Sequence, residues 1–457
     1  MKKILIFLFA AMYTVLNTLT CFGAAITTPK TEIAASSLSL EAEAAILIDA
    51  STGDILYNKN STTRYYPASI TKLMTVLLVL ENCEPDETVT FSHDAVFSIE
   101  PGSSHIAIVP DEVLTVEQCL YGIMLQSANE VSNAVGEHIA GSMEAFSQMM
   151  TARAAELGCK NTNFGNANGL HDDNHYTTAY DMALIAKEVL KYPYFREIMS
   201  SVYYEVQPTN MQSEIRYLHG QNQLLKPASI FYYEYCIGGK TGFTDQARNT
   251  LVAFAEKDGT TLISVVLKST GYGEYYDTIA LFDYGFENFR TAKLAVANAP
   301  MGSIDVVSGE GDDFEVLDTV DVAMERDVFA TLPAEYATTD IESSISLNNA
   351  TTEILKTGDL VGTVSYTLNG EEIAVAPIMA KEDTFIPEEE KVVPEIKEPV
   401  NFKLVFAILL GIVFVLFAAM IIHIKIEQER RRRRRARRRA QRMAMKKAEE
   451  ERYNRYR

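Results

Sequence analysis

Cysteine is scarce in this sequence, with 5 in 457 residues and no C-x-x-C pair. That excludes a reading as a cysteine-stapled scaffold, because a chain this long can bury a core without covalent help. Cys83, Cys119, Cys159 and Cys236 are irregularly spaced and read as buried free thiols. Net positive charge is missing from most of the chain. The last stretch, Lys425 to Arg457, holds 16 Lys/Arg against 5 Asp/Glu, a net of +11, so a whole-chain charge of −20 leaves −31 for residues 1–424. Charge of either sign is absent from Leu404 to Ile422, 19 residues that suffice to cross hydrocarbon.

The arginines that follow this run, Arg430 to Arg435 and Arg437 to Arg439, read as a stop-transfer anchor rather than a nucleic-acid-binding segment. At the other end, Met1-Lys2-Lys3, the apolar run Ile4 to Leu16 and the small residues Gly23, Ala24 and Ala25 have the order of a secretory signal. The expected organisation is a signal peptide over 1–25 that takes Cys21 with it, a transmembrane helix over 403–424 and a basic cytoplasmic tail over 425–457. Both ends then agree on one topology: a single-pass protein of the cell membrane with its acidic body outside.

Between these ends, Ala44 to Asp49 and Ile55 to Tyr57 flank the turn Ser51-Thr52-Gly53-Asp54 and predict a hairpin. Helical periodicity covers Ser69 to Glu81, Val116 to Glu137, Met143 to Gly158 and Thr178 to Lys191. Strands return at Thr250 to Ala255 and Leu262 to Leu267, and a helix at Tyr275 to Glu287 closes the region. Hairpin, helical block and hairpin predict an α+β domain over 40–292 whose antiparallel sheet is built from both ends of the segment. From Lys293 the pattern becomes short alternating runs, with a hairpin signal at Asn369-Gly370, and predicts a small all-β domain over 293–380. Residues 381–402 are rich in Pro, Glu and Lys and read as a stiff, solvated linker.

Chemistry is suggested by Pro67-Ala68-Ser69-Ile70-Thr71-Lys72, where helical spacing puts the lysine one turn from the serine. A serine hydroxyl is a weak nucleophile, and a lysine becomes a base near neutral pH only when burial or a second cation lowers its pKa. S-x-x-K alone is common. Here Ser127-Ala128-Asn129 follows 58 residues after Ser69, and Lys240-Thr241-Gly242 follows 113 residues after Ser127. These are the three elements of the serine penicillin-recognising enzymes in their order.

On those motifs, and on the stretches "AAILIDASTGDILYNKN", "ARAAELGCKNTNF", "NGLHDDNHYTTAYDMA" and "GGKTGFTDQARNTLVAFA", the region from Ala44 to Phe289 resembles the D-alanyl-D-alanine carboxypeptidases among the low-molecular-weight penicillin-binding proteins. The resemblance implies a β-lactamase/transpeptidase-like catalytic domain followed by a β-rich domain and a membrane attachment. It implies hydrolysis of the bond between the terminal D-alanines of peptidoglycan stem pentapeptides, covalent inhibition by β-lactams, and no cofactor or metal. By residue it implies Ser69 as nucleophile, Lys72 as its base, Ser127 as proton relay and Asn129 as a ligand of Lys72 and of the substrate amide. Lys240 would supply the neighbouring cation and Thr241, followed by Gly242, would bind the terminal carboxylate. The backbone N–H groups of Ser69 and Phe243 would form the oxyanion hole. A DD-endopeptidase on the same scaffold, a β-lactamase and a non-catalytic wall-binding protein are the alternative readings.

Some relatives carry a basic residue just before a Leu-Leu pair; here that stretch is Gln221-Asn222-Gln223-Leu224-Leu225. Arg248 is the candidate substitute for binding the carboxylate. The second K-T-G, Lys356-Thr357-Gly358, has no serine-lysine partner after it and reads as a turn. His171 and His175 lie four apart, but Gly169 and Asn174 predict a loop that would not align both rings on a metal.

Overall fold

The computed structural model describes residues 38–310 and 313–385. The signal peptide, the transmembrane helix, the basic tail and most of the linker expected from the sequence lie outside the described residues. Among those described, no helix is long and apolar enough to cross a membrane.

The chain opens with the expected hairpin, β1 (Ala44–Asp49) and β2 (Ile55–Lys59). A 3-10 turn, Ala68–Thr71, leads into α1 (Lys72–Asn82). Its residues Lys72 to Val79 are all buried, so α1 is apolar nearly all round and runs through the core. The short strands β3 (Thr88–Thr90) and β4 (Val113–Thr115) pair with each other, and the short helix α2 (His93–Phe97) lies between them in sequence. The periodic stretch Val116 to Glu137 forms two helices rather than the one expected. A Thr115–Gln118 capping box starts α3 (Val116–Gln126), which stops at Ser127 in left-handed backbone (φ 57°), and α4 (Asn129–Ala140) begins two residues later.

The helical block continues through α5 (Met143–Glu156), α6 (Ala179–Val189) and α7 (Pro193–Ser200), and the paired strands β5 (Tyr203–Val206) and β6 (Arg216–His219) follow. Then come β7 (Cys236–Thr244), β8 (Arg248–Lys257), β9 (Thr260–Ser269) and α8 (Gly273–Asn288). The sheet order is β2-β1-β9-β8-β7, with every neighbouring pair antiparallel. The hairpin from the start of the domain thus meets the strands from its end, as the sequence predicts. Alternate strand residues enter two cores: Ile46, Val252, Phe254 and Val265 pack against the helical block, while Leu47, Leu251, Ala253 and Val266 pack beneath Leu281 and Phe282 of α8.

The second domain holds β10 (Phe289–Ala295), β11 (Pro300–Glu310), β12 (Asp313–Met324), β13 (Val328–Pro333), β14 (Ile341–Leu347), β15 (Ala350–Thr351), β16 (Leu360–Leu368) and β17 (Glu371–Ala380). Its main sheet has the order β14-β16-β17-β12-β11-β15, and β10 pairs with β13 beside it. Phe289 to Ala292, assigned to the first domain on sequence, therefore pair with a strand of the second. At the junction, buried Asp49 accepts hydrogen bonds from the hydroxyls of Thr291 (2.6 Å) and Thr331 (3.0 Å). Lys356-Thr357-Gly358 is a turn, held by the Thr357 hydroxyl donating to Asp383 at 2.9 Å.

Candidate active site

Ser69 sits inside the 3-10 turn, immediately before α1, and is half-buried. The backbone before it is unusual. Ala68 has φ 52°, and Gly169, from the loop before α6, presses on it so closely that a Cβ at 169 would lie 2.0 Å from the Ala68 carbonyl oxygen. Glycine is required there by both space and its own φ of 86°. From the other side, a Cβ at Gly242 would lie 2.8 Å from the backbone nitrogen of Ser69. The nucleophile candidate is thus held between a loop and the edge strand β7.

Lys72 is fully buried, and its Nζ has three partners. It donates to Oδ1 of Asn129 at 2.7 Å and to the carbonyl oxygen of Asn168, and it lies 3.0 Å from Oγ of Ser69. Two of these partners are pure acceptors; only the serine hydroxyl also carries a proton. A neutral Lys72 that keeps its two N–H bonds to the amide oxygens therefore has its lone pair aimed at Ser69. Burial and the charge of Lys240 hold Lys72 well below the usual lysine range, against a smaller opposing pull from Glu130. Lys240 is itself buried and donates to the Thr241 carbonyl oxygen at 2.8 Å; desolvation brings it down to about 7. The second lysine that the chemistry demanded is in place.

A cleft of about 310 Å³ opens in front of these groups. Ser69, Ser127, Asn129, Thr241, Gly242 and Phe243 all line it. The break between α3 and α4 is what turns Ser127 and Asn129 into the cleft. Ser127 Oγ is buried without a hydrogen-bond partner among the described residues. Arg248 is not part of the lining. It opens β8 opposite Thr244, in left-handed backbone (φ 57°), and is exposed.

Asn168, Glu130, Asn249 and Glu274 were not singled out on sequence. Asn168 supplies the carbonyl for Lys72, while its side chain donates to Asn133 Oδ1 at 2.9 Å and accepts from Leu170 N at 2.8 Å. Its signal lay in "NGLHDDNHYTTAYDMA", but a backbone acceptor has no residue-type signature. Glu130 accepts the Ile106 N–H at 2.7 Å, and burial raises its pKa. Gln221, Asn249 and Glu274 line the cleft, and burial likewise raises Glu274. His175 is a structural residue: Nδ1 accepts from Gly165 N at 3.1 Å and Nε2 lies 2.8 Å from the Thr71 hydroxyl. Both ring nitrogens are taken, so His171 and His175 do not form a metal pair.

Comparison with known proteins agrees with this geometry. The family model described as D-alanyl-D-alanine carboxypeptidase matches residues 30–271, and the model for the C-terminal domain of penicillin-binding protein 5 matches residues 289–384. The chain is 34% identical to D-alanyl-D-alanine carboxypeptidase DacF of Bacillus subtilis, over 76% of this chain and 87% of that protein. It is 30% identical to DacA of Escherichia coli, over 76% of this chain and 84% of that one. The crystal structure of penicillin-binding protein 5 from Haemophilus influenzae superposes with a TM-score of 0.63 at 29% identity, covering 76% of this chain and 98% of that structure. With a serine-lysine pair, a second buried lysine and both domain matches in chain order, this protein belongs to the D-alanyl-D-alanine carboxypeptidase family.

Proposed function

We propose that this protein is a serine-type D-Ala-D-Ala carboxypeptidase that trims peptidoglycan stem pentapeptides through an acyl-enzyme on Ser69. The observation that carries the reading is the arrangement around Lys72, whose only proton-bearing partner among three is the Ser69 hydroxyl.

The reaction follows from the geometry. Lys72 takes the Ser69 proton while Oγ bonds to the carbonyl carbon of the penultimate D-alanine. The N–H groups of Ser69 and Phe243 bear the developing oxyanion. The C–N bond then breaks, and the departing D-alanine amine receives a proton through Ser127, whose unpartnered hydroxyl awaits such a group. Water hydrolyses the ester and restores Ser69. Thr241 binds the terminal carboxylate with buried Lys240 as the cation behind it, and Arg248, exposed beside the cleft rather than lining it and without an ion-pair partner among the described residues, reaches in as a second cation when the substrate is bound. A β-lactam is attacked by the same path at its ring amide.

Incubating the protein with a stem pentapeptide should release free D-alanine, and Ser69→Ala should abolish the release. Cleavage of cross-linked dimers without release from pentapeptides would establish the endopeptidase reading instead. The predicted leader and the charge-free run at Leu404 to Ile422 support a membrane-tethered enzyme with its catalytic domain outside. Protease treatment of intact cells should remove that domain and spare a C-terminal tag; a tag cleaved from outside would overturn the topology.

A further inference from the structure

The two helices that meet at the Lys72–Asn129 hydrogen bond approach each other again near their far ends, with a different set of side chains. Cys83 is the C-cap of α1, and His138 lies in the last turn of α4. Between Cys83 and β3 stands Glu87. The Sγ of Cys83, a carboxylate oxygen of Glu87 and a ring nitrogen of His138 all lie within 4.8 Å of one another. We propose that these three side chains bind one zinc-class divalent cation, which clamps the far ends of α1 and α4.

The geometry suits a metal as well as it suits the His138–Glu87 hydrogen bond now made there, and the third donor is what points to a metal. Ligands about 2.0–2.1 Å from a tetrahedral zinc lie roughly 3.3 Å apart. His138 Nε2 and Glu87 Oε2 are 3.3 Å apart. An ion pair needs only those two groups, and the nearby thiol supplies a third, soft donor of the kind that selects zinc over magnesium or calcium. Bringing the loosest edge to bonding length takes a side-chain movement of roughly 1 Å.

The turn bearing the ligands is also built. The second oxygen of Glu87 accepts the Glu84 N–H at 2.8 Å, which orients the carboxylate as an outer-shell partner would. The Glu87 carbonyl accepts the Val116 N–H at 2.8 Å, and the Cys83 N–H donates to Val79 at 2.9 Å. Glu87 and His138 side chains are 42% and 31% exposed, so an ion can enter and water can fill the fourth position. Binding releases the Cys83 thiol proton to solvent, leaving a thiolate, a neutral imidazole and a carboxylate on the metal.

At 1.5 Å per residue the cluster lies roughly 15 Å along each helix from Lys72 and Asn129. It is too far away to enter the chemistry at Ser69, so its role is to hold the two helices together.

The test is cobalt(II) titration of the full chain without a histidine tag. A thiolate-to-cobalt charge-transfer band saturating at one equivalent is expected, displaced by one equivalent of zinc. It should disappear in Cys83→Ser and weaken at least tenfold in affinity in the surface variant His138→Ala, while Cys236→Ser keeps it. No band at stoichiometric cobalt, or a band that survives Cys83→Ser, would overturn the proposal. Penicillin acylation of the same samples reports that each variant is folded.

Discussion

The side-chain oxygen of Asn129 accepts a hydrogen bond from Nζ of Lys72 at 2.7 Å, and in doing so it fixes the direction in which the lysine can act. An isolated neutral lysine turns its lone pair freely. Here two acceptors hold its N–H bonds, and the remaining direction is that of Ser69. In the proposed mechanism the serine-lysine pair therefore has two further supports, Asn129 and the Asn168 carbonyl, which orient Lys72 as a carboxylate orients a catalytic histidine.

Lys72→Arg tests this directly. The guanidinium keeps the charge but does not deprotonate in proteins, so acylation of Ser69 by labelled penicillin should fall by at least two to three decades. Near-normal labelling would mean that another group takes the proton.

Lys240 tunes Lys72 through charge. Its ammonium disfavours the charged form of Lys72, so removing it in Lys240→Gln should raise the Lys72 pKa. The acid limb of the acylation rate should then move to higher pH, and the rate at neutral pH should fall. A limb that stays in place or moves to lower pH would show that the two lysines do not interact.

Arg248→Ala should lose about 1.5–3 kcal/mol of charge-assisted binding, roughly one to two decades in kcat/KM on a substrate ending in a free carboxylate. On the same peptide amidated at its C-terminus the substitution should be silent. An equal loss on both substrates would remove Arg248 from carboxylate recognition.

Burial lowers His175 to about 4, against an ordinary value of 6.5. Between those values the unfolded chain binds a proton that the folded chain refuses, so stability is full above pH 6.5 and is lost as pH falls toward 4. The shift corresponds to about 3 kcal/mol. Denaturant unfolding of His175→Gln should show a shallower loss of stability over that window than the parent, and equal slopes would contradict the assignment.

Much of this protein was legible in the sequence because it is local. Ser69 and Lys72 are one helical turn apart, so the motif itself brings them together, and the hairpins at Thr52-Gly53 and Asn369-Gly370 follow from turn chemistry. The strands at Thr250 to Ala255 and Leu262 to Leu267 were readable for the same reason, since alternation and turn residues are written in neighbouring positions, and the distant pairing of β1 with β9 was reached only through the layer arrangement that hairpin, helical block and hairpin imply. Side-chain and backbone contacts between residues distant in sequence were not readable. Periodicity carried Val116 to Glu137 as one helix, because a break at a single left-handed serine leaves the apolar spacing on either side almost unchanged. The Asn168 carbonyl was invisible, because every residue has one. Gly169 showed no special need for glycine until Ala68, 101 positions earlier, was packed against it. The decisive property, a lysine that can act as a base, belongs to no residue alone. It arises when folding strips water from Lys72, sets Lys240 close enough to repel its charge and engages two of its three hydrogen-bonding directions with acceptors from other parts of the chain. Desolvation and charge coupling depend on distance through space, and only the tertiary structure sets that distance.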